Sequence, residues 1–138
     1  MRTILLPYDG SGPADEAVAY VRETFPDAAV VLLGVVDPVH GIEGVDPDPD
    51  GNWHEATVRG AEDLLAGAAE TLSGTGVDAT AEVRTGAPTA TILEAVEEFD
   101  ADEVVMGSHG RAGVSRLVLG SVAEAVARRA SVPVTITR

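Results

Sequence analysis

Short apolar runs alternate along this chain with stretches whose apolar residues recur every three or four positions. Residues 2–7 (RTILLP) form the first apolar run and predict a buried strand. Residues 8–13 (YDGSGP) predict a turn into a helix, with Ser11 or Gly12 as its cap and Pro13 in its first turn. Ala14, Ala17, Val18 and Val21 then keep helical spacing, and Pro26 ends that helix. Residues 28–36 (AAVVLLGVV) are continuously apolar and rich in valine, the pattern of a strand covered on both faces. Residues 37–54 show no period and are rich in proline and glycine, so they predict a long loop. Residues 55–72 predict a second helix with Ala61, Leu64, Leu65, Ala68 and Leu72 on one stripe, closed by residues 73–76 (SGTG).

Residues 77–85 (VDATAEVRT) alternate, which predicts a half-exposed strand at a sheet edge. A third helix is expected from residues 86–88, with Ile92, Val96 and Phe99 facing inward. Residues 101–106 predict a fourth strand. A glycine-spaced loop follows, then a helix from Ser121 with Val122, Ala125 and Val126 inward. Residues 132–137 (VPVTIT) predict a last strand; Pro133 removes a ladder donor, which places it at an edge or near its own start.

Strands alternating with helices imply an α/β fold, a doubly wound parallel sheet with helices on both faces and right-handed crossovers. Such sheets bind ligands at the carboxyl ends of their strands, where strand order reverses. The loops around Asp9 and Gly107 meet there if the first and fourth strands are neighbours. At 138 residues a single domain with a real core is expected. Hydrophobic residues make up 45% of the chain but aromatics only 4%, so that core must be Val, Leu, Ile and Ala.

Residues 102–129 carry the candidate chemistry. Gly107, Gly110 and Gly120 punctuate the passage from strand to helix, and Ser121 follows directly. Glycine lets a backbone approach a ligand closely. Ser121 with Glu124 three residues later reads as a capping box, so the helix is expected to start there. Free N–H groups and the positive dipole end at a helix start suit phosphate. A plainer reading makes the glycines a tight strand-to-helix connection and Ser121 a cap only.

Charge and composition narrow the partners. Acids number 23 against 9 bases, a net charge of −14, and every base is arginine. Such self-repulsion opposes compaction unless salt screens it, so a halophilic source is expected, with an ordinary acidic protein as the plainer alternative. A nucleic-acid backbone is excluded as a partner for want of a basic face. There is no cysteine, hence no disulfide framework and no thiolate chemistry. The opening apolar run is too short for a signal peptide, and no run approaches membrane-spanning length, so a cytoplasmic protein without membrane association is expected. Residues 46–51 (DPDPDG) imitate the start of a calcium loop, but Thr57 occupies the position of the bidentate Glu, and no metal site is assigned. The absence of lysine removes a Walker phosphate loop and a receiver domain, and no Gly-x-Ser-x-Gly elbow follows a strand.

With these residues in view, the chain resembles the universal stress protein family along nearly its whole length. The similarity lies in the opening Pro7-Tyr8-Asp9-Gly10-Ser11, the strand ending Leu32-Leu33-Gly34-Val35-Val36-Asp37, the segments MGSHGRAG and LGSVAEAV, and Val132-Pro133-Val134. The spacing of Gly107, Gly110, Gly120 and the following hydroxyl resembles the ATP-binding branch of that family. The resemblance implies a Rossmann-like, adenine nucleotide alpha-hydrolase-type fold with strand order 3-2-1-4-5, and a homodimer through residues 132–137. It implies a nucleotide site at Pro7, Tyr8, Asp9, Ser11, Val35, Met106, Gly107, His109, Gly110, Arg111, Gly120, Ser121 and Val122. Asp9 and the Val35 backbone would sit by adenine and ribose, and Met106 and Gly107 by the sugar and first phosphate. Gly110, Gly120, Ser121 and Val122 would cradle the phosphates, with His109 and Arg111 in reach. Gly34 departs from the histidine common in the family. Taken alone, Asp9 also reads as a turn-former, and His109 and Arg111 as loop residues. The expected function is an ATP-binding regulatory module, with Mg²⁺ or Mn²⁺ on the phosphates and no fast catalysis, since His109 is the one speculative general base. A structural dimer with no nucleotide, or an AMP sensor, are the alternatives.

Overall fold

The computed structural model describes residues 1–38, 53–108 and 119–138. Its elements are β1 (Thr3–Pro7), α1 (Gly12–Thr24), β2 (Ala29–Val36), α2 (Trp53–Ser73), β3 (Asp78–Thr85), α3 (Pro88–Glu98), β4 (Glu103–Gly107), α4 (Ser121–Arg129) and β5 (Val134–Thr137). The strands lie in the order β3-β2-β1-β4-β5, every neighbouring pair parallel. The expected fold is the observed one. The order reverses at β1, whose two neighbours are β2 and β4.

Alternation along each strand divides the apolar residues between two layers. Ile4, Leu6, Val30 and Leu32 face α1 and α2, where Val18, Val21, Leu65 and Leu72 close the first core. Leu5, Val31, Leu33, Val104 and Met106 face α3 and α4, where Ile92, Val96, Ala123 and Val126 close the second. Burial on both sides is why β1, β2 and β4 read as unbroken apolar runs. The half-exposed alternation of β3 fits its place at an edge. Pro133 precedes β5, at the other edge, and its carbonyl accepts from the Val104 N–H at 2.9 Å.

The inward residues of α1 are those its spacing predicts: Ala14, Ala17, Val18 and Val21 are all buried. On α4 the expectation needs correcting. Val126 is buried, but Ala123 takes the second buried place, while Val122 and Ala125 are half-buried. The sequence SVAEAVARR puts small apolar residues on several sides, so its period does not choose a face.

The amino ends of the strands are locked by polar ties. Arg2 pairs with Glu103 at 3.0 Å and lies over the Phe25 ring, while Asp102 Oδ2 accepts from the Thr3 N–H at 2.8 Å. The edge strand β3 is held near its end by Arg84, which reaches Glu82 at 2.9 Å and Glu98 at 3.0 Å and covers the Phe99 ring. Glu98 first and Glu82 second hold the Arg84 proton more tightly than usual. The carboxyl ends of β1, β2 and β4 flank the point where strand order reverses, the position at which sheets of this kind take ligands.

Candidate functional site

The turn after β1 is built from its own short side chains. Tyr8 continues the ladder, its N–H donating to the Leu33 carbonyl at 2.9 Å. Gly10 then takes φ +76°, a left-handed conformation that glycine adopts without strain. Asp9 Oδ1 accepts from the Ser11 N–H at 2.9 Å, and Ser11 Oγ accepts from the Ala14 N–H at 3.2 Å. Ser11 is thus the buried N-cap of α1, with the helix's proline in its first turn. Asp9 does form the turn, so the plainer reading of that residue holds at least in part. The Tyr8 ring packs on the α1–α2 side and its hydroxyl donates to Asp15 Oδ1 at 2.5 Å. What Tyr8 brings to the sheet end is its backbone.

The turn after β4 is built differently. A Cβ placed on Gly107 would stand 2.7 Å from the Pro13 Cβ and 2.8 Å from its carbonyl carbon. Gly107 therefore lets the start of α1 lie directly on the end of β4. The buried Ser108 follows, its N–H donating to the Thr137 carbonyl at 2.8 Å and its carbonyl accepting from the Gly120 N–H at 2.6 Å. That last bond fixes the start of α4 beside the end of β4.

The helix start itself corrects the capping-box expectation. The N-cap is Gly120, with extended φ −64° and ψ 153°, a residue with no side chain to cap the helix. Ser121 is the first helical residue and is exposed. Glu124 pairs instead with Arg128, 2.8 Å away one turn on. In an α-helix the N–H groups of the first turn have no partner within the helix, so those of Ser121, Val122 and Ala123 face outward from this end. The two helix starts at the reversal of strand order thus differ. That of α1 is capped by the side chain of its own N-cap residue, and that of α4 has a glycine in that place.

The apolar members converge as well. Val35 near the end of β2, Met106 on β4 and Val122 in the first turn of α4 belong to one hydrophobic cluster. Pro7, which pairs with Leu33, ends the strand between them. Gly34 faces the other way, with a Leu65 methyl 3.1 Å from where its Cβ would stand. His109, Gly110 and Arg111, and the calcium-like segment at residues 46–51, lie outside the described residues. Sequence reasoning missed Pro13, Ser108 and Thr137 as the groups that hold the site together. Nothing in their local pattern announces contacts with distant parts of the chain.

In parallel α/β sheets, ligands bind outside the carboxyl ends of the strands at the point where strand order reverses, the place where the glycine turn and the α4 start lie here. The sequence model of the Universal stress protein family matches residues 1–138, and the chain belongs to that family. A universal stress protein of Thermus aquaticus is 37% identical over 141 residues, covering 99% of this chain and 98% of that one. The solved structure of a universal stress protein of Methanocaldococcus jannaschii superposes with a TM-score of 0.85 at 26% identity, covering 99% of this chain and 94% of that one. An Arabidopsis thaliana family member, solved with AMP bound, shares the fold at 18% identity and a TM-score of 0.70, covering 99% of this chain and 91% of that one.

Proposed function

We propose that this chain binds an adenine nucleotide, ATP with Mg²⁺ or Mn²⁺, at the carboxyl ends of β1, β2 and β4. In this reading it works as a nucleotide-dependent regulatory module of the stress response, in the cytoplasm, as a homodimer through residues 132–137. Asp9 and the Val35 backbone serve the adenosine end, on a turn framed by Pro7, Tyr8 and Ser11, and Met106 and Gly107 pass beside the sugar and first phosphate. Gly120, Ser121 and Val122 take the phosphates on backbone N–H groups and the Ser121 hydroxyl, with His109, Gly110 and Arg111 completing the loop.

The observation that carries the reading is the start of α4. It begins at a glycine, which has no side chain to cap the helix, and is tied by the 2.6 Å Gly120–Ser108 bond to the end of β4. An anion is the complement such a helix end lacks. Among the described residues no group of three or more His, Cys, Asp or Glu side chains gathers to hold a metal. A divalent cation would ride on the nucleotide's own phosphates, as Mg²⁺ commonly does. Bound ATP supplies the polyanion, and the chain orients it. Regulation, with hydrolysis slow at most, is the better fit to a site whose contacts are mainly backbone.

The reading is tested by titrating MgATP into the protein in high salt, beside Gly120→Val. Valine can adopt the extended backbone at residue 120, so the variant, its fold checked by circular dichroism, puts a bulky side chain at the start of α4. Wild type is expected to bind saturably and the variant more than about tenfold more weakly, since hydrogen bonds to a charged group are lost. Equal affinity in the two proteins would remove the phosphates from this helix start.

A further inference from the structure

The end of β5 reaches the candidate site through a short hydrogen-bonded chain. Thr137 pairs with Gly107 across the β4–β5 ladder. Its carbonyl accepts from the Ser108 N–H at 2.8 Å, and the Ser108 carbonyl accepts from the Gly120 N–H at 2.6 Å. Its hydroxyl lies 3.4 Å from both the Pro13 and the Met106 carbonyl oxygens. With a single proton it donates to one of the two at a time. These ties touch the start of α1, the end of β4 and the start of α4, the three segments that frame the site.

We propose that Thr137 is a positioning residue for the phosphate end of the nucleotide site. The proposal rests on the nucleotide reading above, and makes no claim that Thr137 touches the ligand. Three features make the role specific. Ser108 is buried, so its backbone groups have no water to fall back on, and loss of either bond is costly. Gly107 has no side chain to brace the turn, because Pro13 occupies that space. The ligand's phosphates would bind backbone N–H groups whose positions depend on where α4 begins, and an error of a fraction of an ångström there weakens every one of them. Thr137 also ends an edge strand, so whatever pairs with β5 reaches the phosphate end through two hydrogen bonds.

The test compares wild type, Thr137→Val and Thr137→Ser in high salt. Amide hydrogen exchange at Ser108 and Gly120 is read without ligand, and dissociation constants are read for MgATP and for adenosine. Thr137→Val keeps the shape and the backbone carbonyl that Ser108 bonds, and removes the hydroxyl that ties this strand end to the Pro13 or Met106 carbonyl, so any effect at Ser108 and Gly120 comes through that anchor. It is expected to speed exchange at both amides, to weaken MgATP by about 3- to 10-fold, the worth of one net hydrogen bond, and to leave adenosine unchanged. Thr137→Ser restores all three. Exchange unchanged at Ser108 and Gly120 overturns the proposal. So does equal weakening of MgATP and adenosine, which marks a merely structural residue. If wild type binds neither ligand while Thr137→Val still loosens those two amides, the nucleotide reading falls and the positioning of α4 by Thr137 stands.

Discussion

Gly107 and Pro13 meet so closely that no side chain fits between them: a Cβ on Gly107 would lie 2.7 Å from that of Pro13. The contact joins the carboxyl end of β4 to the first turn of α1, and so brings the two site turns together. Gly107→Ala must push α1 away from the sheet or bend β4. Overpacking of this kind costs about 1–3 kcal/mol. Denaturant unfolding is expected to show that loss, together with weaker nucleotide binding. An alanine variant as stable as wild type would mean that the two turns are not in contact.

The two serines at helix starts separate capping from binding. Ser11 caps α1 through its hydroxyl, so Ser11→Ala is expected to cost about 1 kcal/mol of stability. Ser121 lies one position inside α4 and caps nothing with its side chain. Ser121→Ala is expected to leave the unfolding midpoint within about 0.5 kcal/mol of wild type, as an exposed change does, and to weaken MgATP. A loss of stability at Ser121 equal to that at Ser11 would restore the capping box.

Those two serines also show what the sequence makes legible. Continuous valine and leucine runs reveal β1, β2 and β4, because both faces of those strands are covered. Alternation reveals the edge strand β3, and the stripe from Ala14 to Val21 reveals the buried face of α1. The parallel α/β arrangement follows from that order of elements, and the glycine spacing marks the region of the proposed site. Three things escape. The Ser-x-x-Glu pattern misplaces the cap by one residue, because Gly120 in an extended conformation serves as well. Alanines at positions 123, 125 and 127 leave the buried face of α4 undecided until the sheet chooses it. The ties of Pro13 to Gly107 and of Thr137 to Ser108 join residues far apart in the chain, and only the folded sheet discloses them.

Salt should govern stability. The chain carries a net charge of −14, and α2 alone exposes Glu55, Glu62, Asp63 and Glu70. Repulsion among such charges is screened as ionic strength rises. The thermal midpoint is expected to climb steadily from about 0.1 M to about 2 M potassium chloride, with the Debye length falling from about 10 Å to a few ångströms. A midpoint that falls over this range would show that attractive ion pairs, of the Arg2–Glu103 kind, outweigh the repulsion.

The central claim, that this chain carries an adenine nucleotide, is tested most directly by what comes away from it. The protein is purified in high salt, denatured, and the released small molecules are identified by chromatography and mass. Near-stoichiometric ATP is the predicted result. AMP or ADP in its place would point to a sensor or a slow hydrolase at the same site. No nucleotide released, and none bound when MgATP is added back, would contradict the account and leave a structural stress-protein dimer in its place.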